Sequence, residues 1–323
     1  NAVYDRFCES GRIGAFDFDW AEGKPHKPHY FYDSDVAKWM EGAAYILRDH
    51  FDAELELRVE RLIDKIEEHQ GDDGYFNIYF TVCEPEKRFS DRDKHELYCA
   101  GHLFEAAVAY ARATGKTRFL KCMERYADYI YRVFVTEKSA AFVTPGHEEI
   151  ELALVEMYRY TKEKKYLELA LFFLDNRGIH DSEKTEYNQS HLPVREQTEA
   201  VGHAVRALYL YSAMADCAFE TGDKDLERAC LSIYEDIVGK KMYVTGGLGS
   251  TPIGEAFTHA YDLPNSDAYA ETCAGIGLMF FAKRLLRLEN RAEFADITER
   301  VFYNGVLSGL SLDGKSFFYE NPL

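Results

Sequence analysis

The sequence predicts an all-α fold, an array of antiparallel helical hairpins, and three observations carry that prediction. From about Ser34 onward, apolar residues recur three and four positions apart, the period of an amphipathic helix. Strand-like alternation is scarce. The breaks between periodic stretches also resemble one another: ATGKTRFL at 113–120, TKEKKYL at 161–167, ETGDKDL at 220–226 and LENRAEF at 288–294. Each offers small or charged residues and then an aromatic or leucine that restarts an apolar face, as short loops between antiparallel helices do.

Ten helices follow from the periodicity, over 34–50, 53–69, 95–113, 117–134, 147–161, 164–175, 196–220, 224–238, 270–288 and 292–309. They pair into five hairpins. The 323 residues suffice for one large domain or two ordinary ones. With 46% apolar and 29% charged residues, the chain is neither disordered nor fibrous in composition.

Charge narrows the partners. Lysine and arginine total 38 against 56 aspartates and glutamates, a net charge of −18, which opposes phosphate backbones and anionic membranes. No nucleic acid and no membrane are expected as partners. The longest apolar run, 272–282, is stopped by Lys283, well short of the roughly 20 residues that span a bilayer. Seven scattered cysteines with no C-x-x-C pair argue against a disulfide framework. A reducing, cytoplasmic compartment is expected. The chain begins at Asn1 with no basic segment before an apolar one, yet export stays open, as does the oligomeric state, a homodimer included.

Three predicted first helices carry a Gly-His dipeptide near their start: Gly101-His102, Gly146-His147 and Gly202-His203. If the hairpins close into a ring, these equivalent places meet at one end, and three imidazoles face one cavity. A lone helix histidine is more often a packing residue. Recurrence beside glycine, which admits a close approach, favours a site.

The stretch 243–267 carries Gly246, Gly247, Gly249, Gly254, Pro252 and Pro264 and reads as a loop of a length more often functional than not. Its G-G-x-G run lacks the G-K-[ST] and the preceding strand of a phosphate loop. This loop and the next helix hold Glu255, His259, Asp262, Glu271 and Cys273. Glu255 lies among Gly254, Ala256 and Phe257, an apolar setting that suits a general acid; a capping or solvated glutamate fits the spacing equally well.

Glu271 and Cys273 stand two apart, a spacing that sends side chains to nearly opposite sides of a regular helix. They could share a metal only at a helix start or in a turn, and zinc needs three or four protein ligands. On spacing alone, a buried cysteine beside a capping glutamate is the stronger reading. The segment 188–203 is dense in amide, acid and imidazole groups; such density suits sugar hydroxyls, and equally a charged first turn of a helix.

The stretches YDSDVAKWMEGAAY (32–45), HELYCAGHLFEAAVAY (95–110), PGHEEIELALVEMYR (145–159), HLPVREQTEAVGHAVRALYLYS (191–212), YVTGGLGSTPIGEAFTHAYDLPN (243–265) and YAETCAGIGLMFFAKRLL (269–286) strongly resemble the β-L-arabinofuranosidase family, glycoside hydrolase family 127. The resemblance covers nearly the whole chain in order. It implies an α/α barrel, a six-hairpin toroid of which about five hairpins are present, followed in the family by β-sandwich domains that this sequence does not contain. It further implies a retaining, exo-acting enzyme on terminal β-L-arabinofuranosides with a zinc-bound cysteine as nucleophile. By that resemblance Glu255 matches the general acid/base, Glu271 and Cys273 match two Zn2+ ligands, and His102, His147 and His203 match histidines lining the sugar subsite.

One motif is missing. The family's remaining zinc ligand and its nucleophile are adjacent cysteines in a C-C-P-P motif downstream of E-T-C, and residues 1–323 contain no adjacent pair. The expectation is that 1–323 is an incomplete catalytic barrel whose nucleophile lies beyond residue 323; a truncated, inactive product is the other explanation. Two further readings compete with the hydrolase: a sugar epimerase or lyase using His147 and His203 as acid and base, and an inactive carbohydrate-binding helical scaffold.

Overall fold

The computed structural model describes residues 2–321. The chain divides into two compact units, Asn1–Phe172 and Phe173–Leu323. In chain order the helices are α1 (Ala2–Glu9), α2 (Tyr32–Asp49), α3 (Ala53–His69), α4 (Tyr79–Val82), α5 (Glu96–Thr114), α6 (Arg118–Tyr131), α7 (Ile150–Thr161), α8 (Lys164–Asn176), α9 (Ala204–Thr221), α10 (Lys224–Asp236), α11 (Thr272–Leu288) and α12 (Ala292–Val301). Two short strands, β1 (Gly202–His203) and β2 (Ala256–Phe257), pair antiparallel. None of the described helices is long and apolar enough to cross a membrane.

The all-α expectation holds, and four of the predicted hairpins pack as pairs, α2 with α3, α5 with α6, α9 with α10 and α11 with α12. In the first unit α2, α5 and α7 pack side by side, while α3 and α6 pair with each other behind them. In the second unit α9 and α11 pack together, with α10 and α12 against them. Burial explains the layering. Helix α5 is buried from Glu96 through Ala111 except at Glu105, and α9 from Ala204 through Ala218; helices apolar all round belong inside. Helix α6 instead buries one stripe, Phe119, Leu120, Cys122, Met123, Tyr126, Ala127 and Ile130, the pattern of a helix with one face to solvent.

Sequence chemistry sets several ends. Asp52 and Asp223 cap α3 and α10 by accepting from the backbone N–H groups two and three residues on, each worth about 1 kcal/mol. Helices α6, α10 and α12 each run into a five-residue π turn, Arg132–Thr136, Ile237–Lys241 and Phe302–Val306.

Three boundaries differ from the expectation. The predicted 196–220 helix begins at Ala204, because 197–201 is non-helical and 202–203 form strand β1. The predicted 147–161 helix begins at Ile150, so His147 precedes it. The predicted 292–309 helix is regular only to Val301. Helix α1 has no predicted counterpart, for it is short and none of its residues is fully buried.

Candidate active site

The second unit gathers the carboxylates. Strand β1 pairs with β2 in the register His203↔Ala256, which sets Glu255, the residue before β2, beside His203 although 52 positions separate them. Gly202 makes this possible. It has φ +69, and a Cβ there would lie 1.9 Å from the Glu186 carbonyl oxygen, so only glycine fits. The preceding segment is pinned by the end of α10: Ala200 N–H donates to Asp236 Oδ2 at 3.0 Å, and Lys241 Nζ donates to Ala200 O at 2.7 Å. Lys241 and Asp236 are both buried and lie 3.1 Å apart.

His203 is the N-cap of α9. Its Nδ1 accepts from the N–H of Val205 at 3.2 Å and of Arg206 at 3.5 Å, so the ring proton belongs on Nε2. That nitrogen sits 2.7 Å from Glu255 Oε2 and donates to it. Burial, reinforced by the Arg206 guanidinium, pushes the His203 pKa down to about 4 against the opposing pull of Glu255. The ring is neutral at pH 7.

Glu255 accepts a second hydrogen bond, from the Tyr269 hydroxyl to Oε1 at 2.7 Å. Its backbone is left-handed, φ +52, a conformation that costs a non-glycine residue roughly 1–2 kcal/mol. The side chain remains 34% exposed, so a substrate can reach it.

Tyr269 leads directly into the start of α11. Glu271 is the N-cap there, with extended backbone at φ −60 and ψ 136, and Cys273 is the second helical residue. The two thus occupy the one context in which their spacing lets them share a ligand. The segment 317–321 runs alongside, with Thr272 N–H donating to Tyr319 O at 2.9 Å. Both the Cys273 thiol and the Tyr319 hydroxyl bond the Glu271 carboxylate. Burial raises the Glu271 pKa, and the negative charges of Glu255 and Glu320 add to that rise. Glu271 Oε2 is buried with no hydrogen-bond partner. A buried carboxylate oxygen left without a partner, beside a thiol at a helix N-terminus, fits two ligands of a zinc ion.

The first unit holds a separate imidazole and tyrosine group. The Tyr98 ring centroid is 4.4 Å from that of His147 and 4.5 Å from that of His102. His95 joins them, 5.7 Å from His147. His102 is 4% exposed, and its Nδ1 is 3.1 Å from Glu149 Oε1. The three Gly-His dipeptides are therefore not equivalent. His102 lies in the second turn of α5, His147 three residues before α7, and His203 caps α9.

His259 and Asp262 stand apart from the Glu255 group, 3.7 Å from each other with His259 83% exposed. Sequence reasoning passed over His95, Tyr98, Glu149, Tyr269 and Tyr319. His95 and Glu149 carried a signal: each directly precedes a helix inside a quoted motif.

The comparisons agree with this fold. By fold alone, the chain is of the α/α-hairpin class: a sugar epimerase from a ruminal bacterium superposes with a TM-score of 0.58 at 12% identity, covering 99% of this chain and 91% of that one. The α/α-barrel fold class expected from the sequence is thereby supported. More specifically, residues 4–323 match the β-L-arabinofuranosidase, GH127 catalytic domain family. The chain belongs to that family.

It is similar to the non-reducing end β-L-arabinofuranosidase of Bifidobacterium longum subsp. longum, 41% identical over 318 residues, covering 91% of this chain and 48% of that protein. It is also similar to a GH127 β-L-arabinofuranosidase from Geobacillus stearothermophilus T6, with a TM-score of 0.93 and 47% identity over all of this chain and 54% of that one. The chain thus spans about half the length of these relatives.

Proposed function

We propose that the protein is a retaining exo-glycosidase that removes terminal β-L-arabinofuranose, with Glu255 as general acid/base and Zn2+ held partly by Glu271 and Cys273. The observation that carries this is the Glu255 carboxylate, accessible on one side, fixed on the other by His203 and Tyr269, and close enough to Glu271 for its charge to be felt there. The names of the relatives support the substrate class.

Glu255 carries a proton to the departing glycosidic oxygen and later takes one from water, the exchange a retaining glycosidase requires. His203 and Tyr269 aim the carboxylate. Zinc, when bound, keeps a coordinated sulfur in its thiolate form at neutral pH. Glu271 supplies its buried oxygen and Cys273 its sulfur. The nucleophile belongs, by the family resemblance, to an adjacent cysteine pair beyond residue 323. By the family resemblance His102, His147 and His203 are assigned to the sugar; within the first unit the Tyr98 ring packs on both His102 and His147. The seven free thiols suit a reducing, cytoplasmic setting.

The competing use of His203 as a general base is disfavoured, because Nδ1 already accepts two backbone bonds. The test is hydrolysis of an aryl β-L-arabinofuranoside by the protein in its full natural length. Turnover that a chelator abolishes and Zn2+ restores supports the proposal; no turnover with zinc present overturns it.

A further inference from the structure

We infer that His102, Glu105 and Glu149 form a second divalent-cation site, between α5 and α7, separate from Glu271 and Cys273. One ligand atom from each of the three lies within 4.8 Å of the others, and His102 and Glu149 are buried. A bare cluster of this kind would mean little. Four further features distinguish it.

First, Glu149 occupies the N-cap of α7 but does not cap it with its side chain. Its N–H is taken instead by Glu151 Oε2 at 3.2 Å, which leaves the Glu149 carboxylate turned toward α5. Second, Glu149 is 1% exposed, and its Oε1 has no hydrogen-bond partner; an orphaned buried carboxylate oxygen is costly unless something binds it. Third, that oxygen is 3.1 Å from His102 Nδ1, so a carboxylate and an imidazole converge on one point. Fourth, α5 has a glycine where the carboxylate enters: a Cβ on Gly101 would stand 2.6 Å from Glu149 Cγ. The Gly-His dipeptide is here a doorway for Glu149.

The charges agree. Glu149 feels Glu105 and Glu41 with only Lys38 opposing them, and burial followed by Glu105 keeps its carboxyl well above the usual range. One imidazole and two carboxylates suit Zn2+ or Mn2+ better than Ca2+, which prefers an all-oxygen shell. The bound ion would staple the first helices of two successive hairpins. This inference stands apart from the hydrolase reading.

The test strips the 323-residue chain of metal, then titrates it calorimetrically with Zn2+ and, separately, Mn2+. The Cys273→Ser protein isolates the second site. It should still bind one equivalent of at least one of the two ions and melt at higher temperature with that ion present. Adding Glu149→Gln should weaken this binding at least 10-fold and remove the thermal shift. Glu105→Gln, at a less buried position, serves as the second variant should Glu149→Gln fold poorly, and should weaken binding likewise. Undiminished binding in a folded Glu149→Gln or Glu105→Gln protein, or no binding of either ion by Cys273→Ser, overturns the inference.

Discussion

His203 donates its Nε2–H to Glu255 Oε2 across 2.7 Å, and the donor is fixed in that role because the other ring nitrogen caps α9. A helix-capping bond thereby sets the tautomer of a residue that touches the candidate acid/base. Local backbone satisfaction and site chemistry are the same interaction.

The capping role gives His203 a stability signature. A histidine whose folded pKa lies below its unfolded value binds its proton more readily when unfolded, so its contribution is present above the unfolded pKa of about 6.5 and is lost as pH falls toward the folded value of about 4. His203→Asn keeps a capping side chain without a titrating ring. The difference between the two proteins' melting temperatures should change across pH 6.5 to 4, with the wild type losing more. Asp33 and Glu96, each pushed up to about 7 by burial, act in the opposite direction but are common to both proteins. A constant difference across that window would refute the assignment.

Tyr269→Phe removes one of the two donors to Glu255 and little else, since the ring keeps its packing. Hydrogen bonds to charged groups contribute roughly 1.5–3 kcal/mol. Steady-state kinetics of the variant should show kcat/KM reduced about 10-fold or more with a normal melting temperature. Wild-type kcat/KM would mean that Tyr269 does not position the carboxylate.

Lys241→Met should be severe. It leaves the buried Asp236 carboxylate with Lys240 as its remaining cation and frees the Ala200 carbonyl, and breaking a buried pair at one end costs up to about 3–5 kcal/mol. Urea unfolding measures the cost. A loss below about 1 kcal/mol would show that the segment before His203 is held otherwise.

Two glycines in helices should answer oppositely to alanine. At Gly101 the new Cβ meets the backbone of Ile150 at 2.9 Å as well as Glu149, and overpacking of this kind costs about 1–3 kcal/mol. At Gly42, within α2, a Cβ meets nothing within 4 Å, so alanine should stabilise by roughly 0.5–1 kcal/mol. Chemical denaturation of both variants checks the contrast.

The hairpins were legible because a 3.6 period of apolar residues is written locally, and the breaks after α5, α7, α9 and α11 share short polar turns. The start of α9 was not. Its cap is a histidine rather than the usual serine, threonine or aspartate, and the polar run 196–203 imitates a first turn. Glu271 and Cys273 were readable only conditionally, since their spacing suits a common ligand at a helix start and nowhere else in a helix. The contacts of Glu255 with His203 and of Glu149 with His102 were beyond reach, because they depend on which hairpins lie side by side.

The most direct measurement compares Glu255→Gln with the wild type on two aryl β-L-arabinofuranosides, one with a leaving group that departs without protonation and one that needs it. A general acid at position 255 predicts a loss of about 10²–10⁴-fold in kcat/KM for the poor leaving group and a far smaller loss for the good one. Equal losses on both substrates would contradict the account.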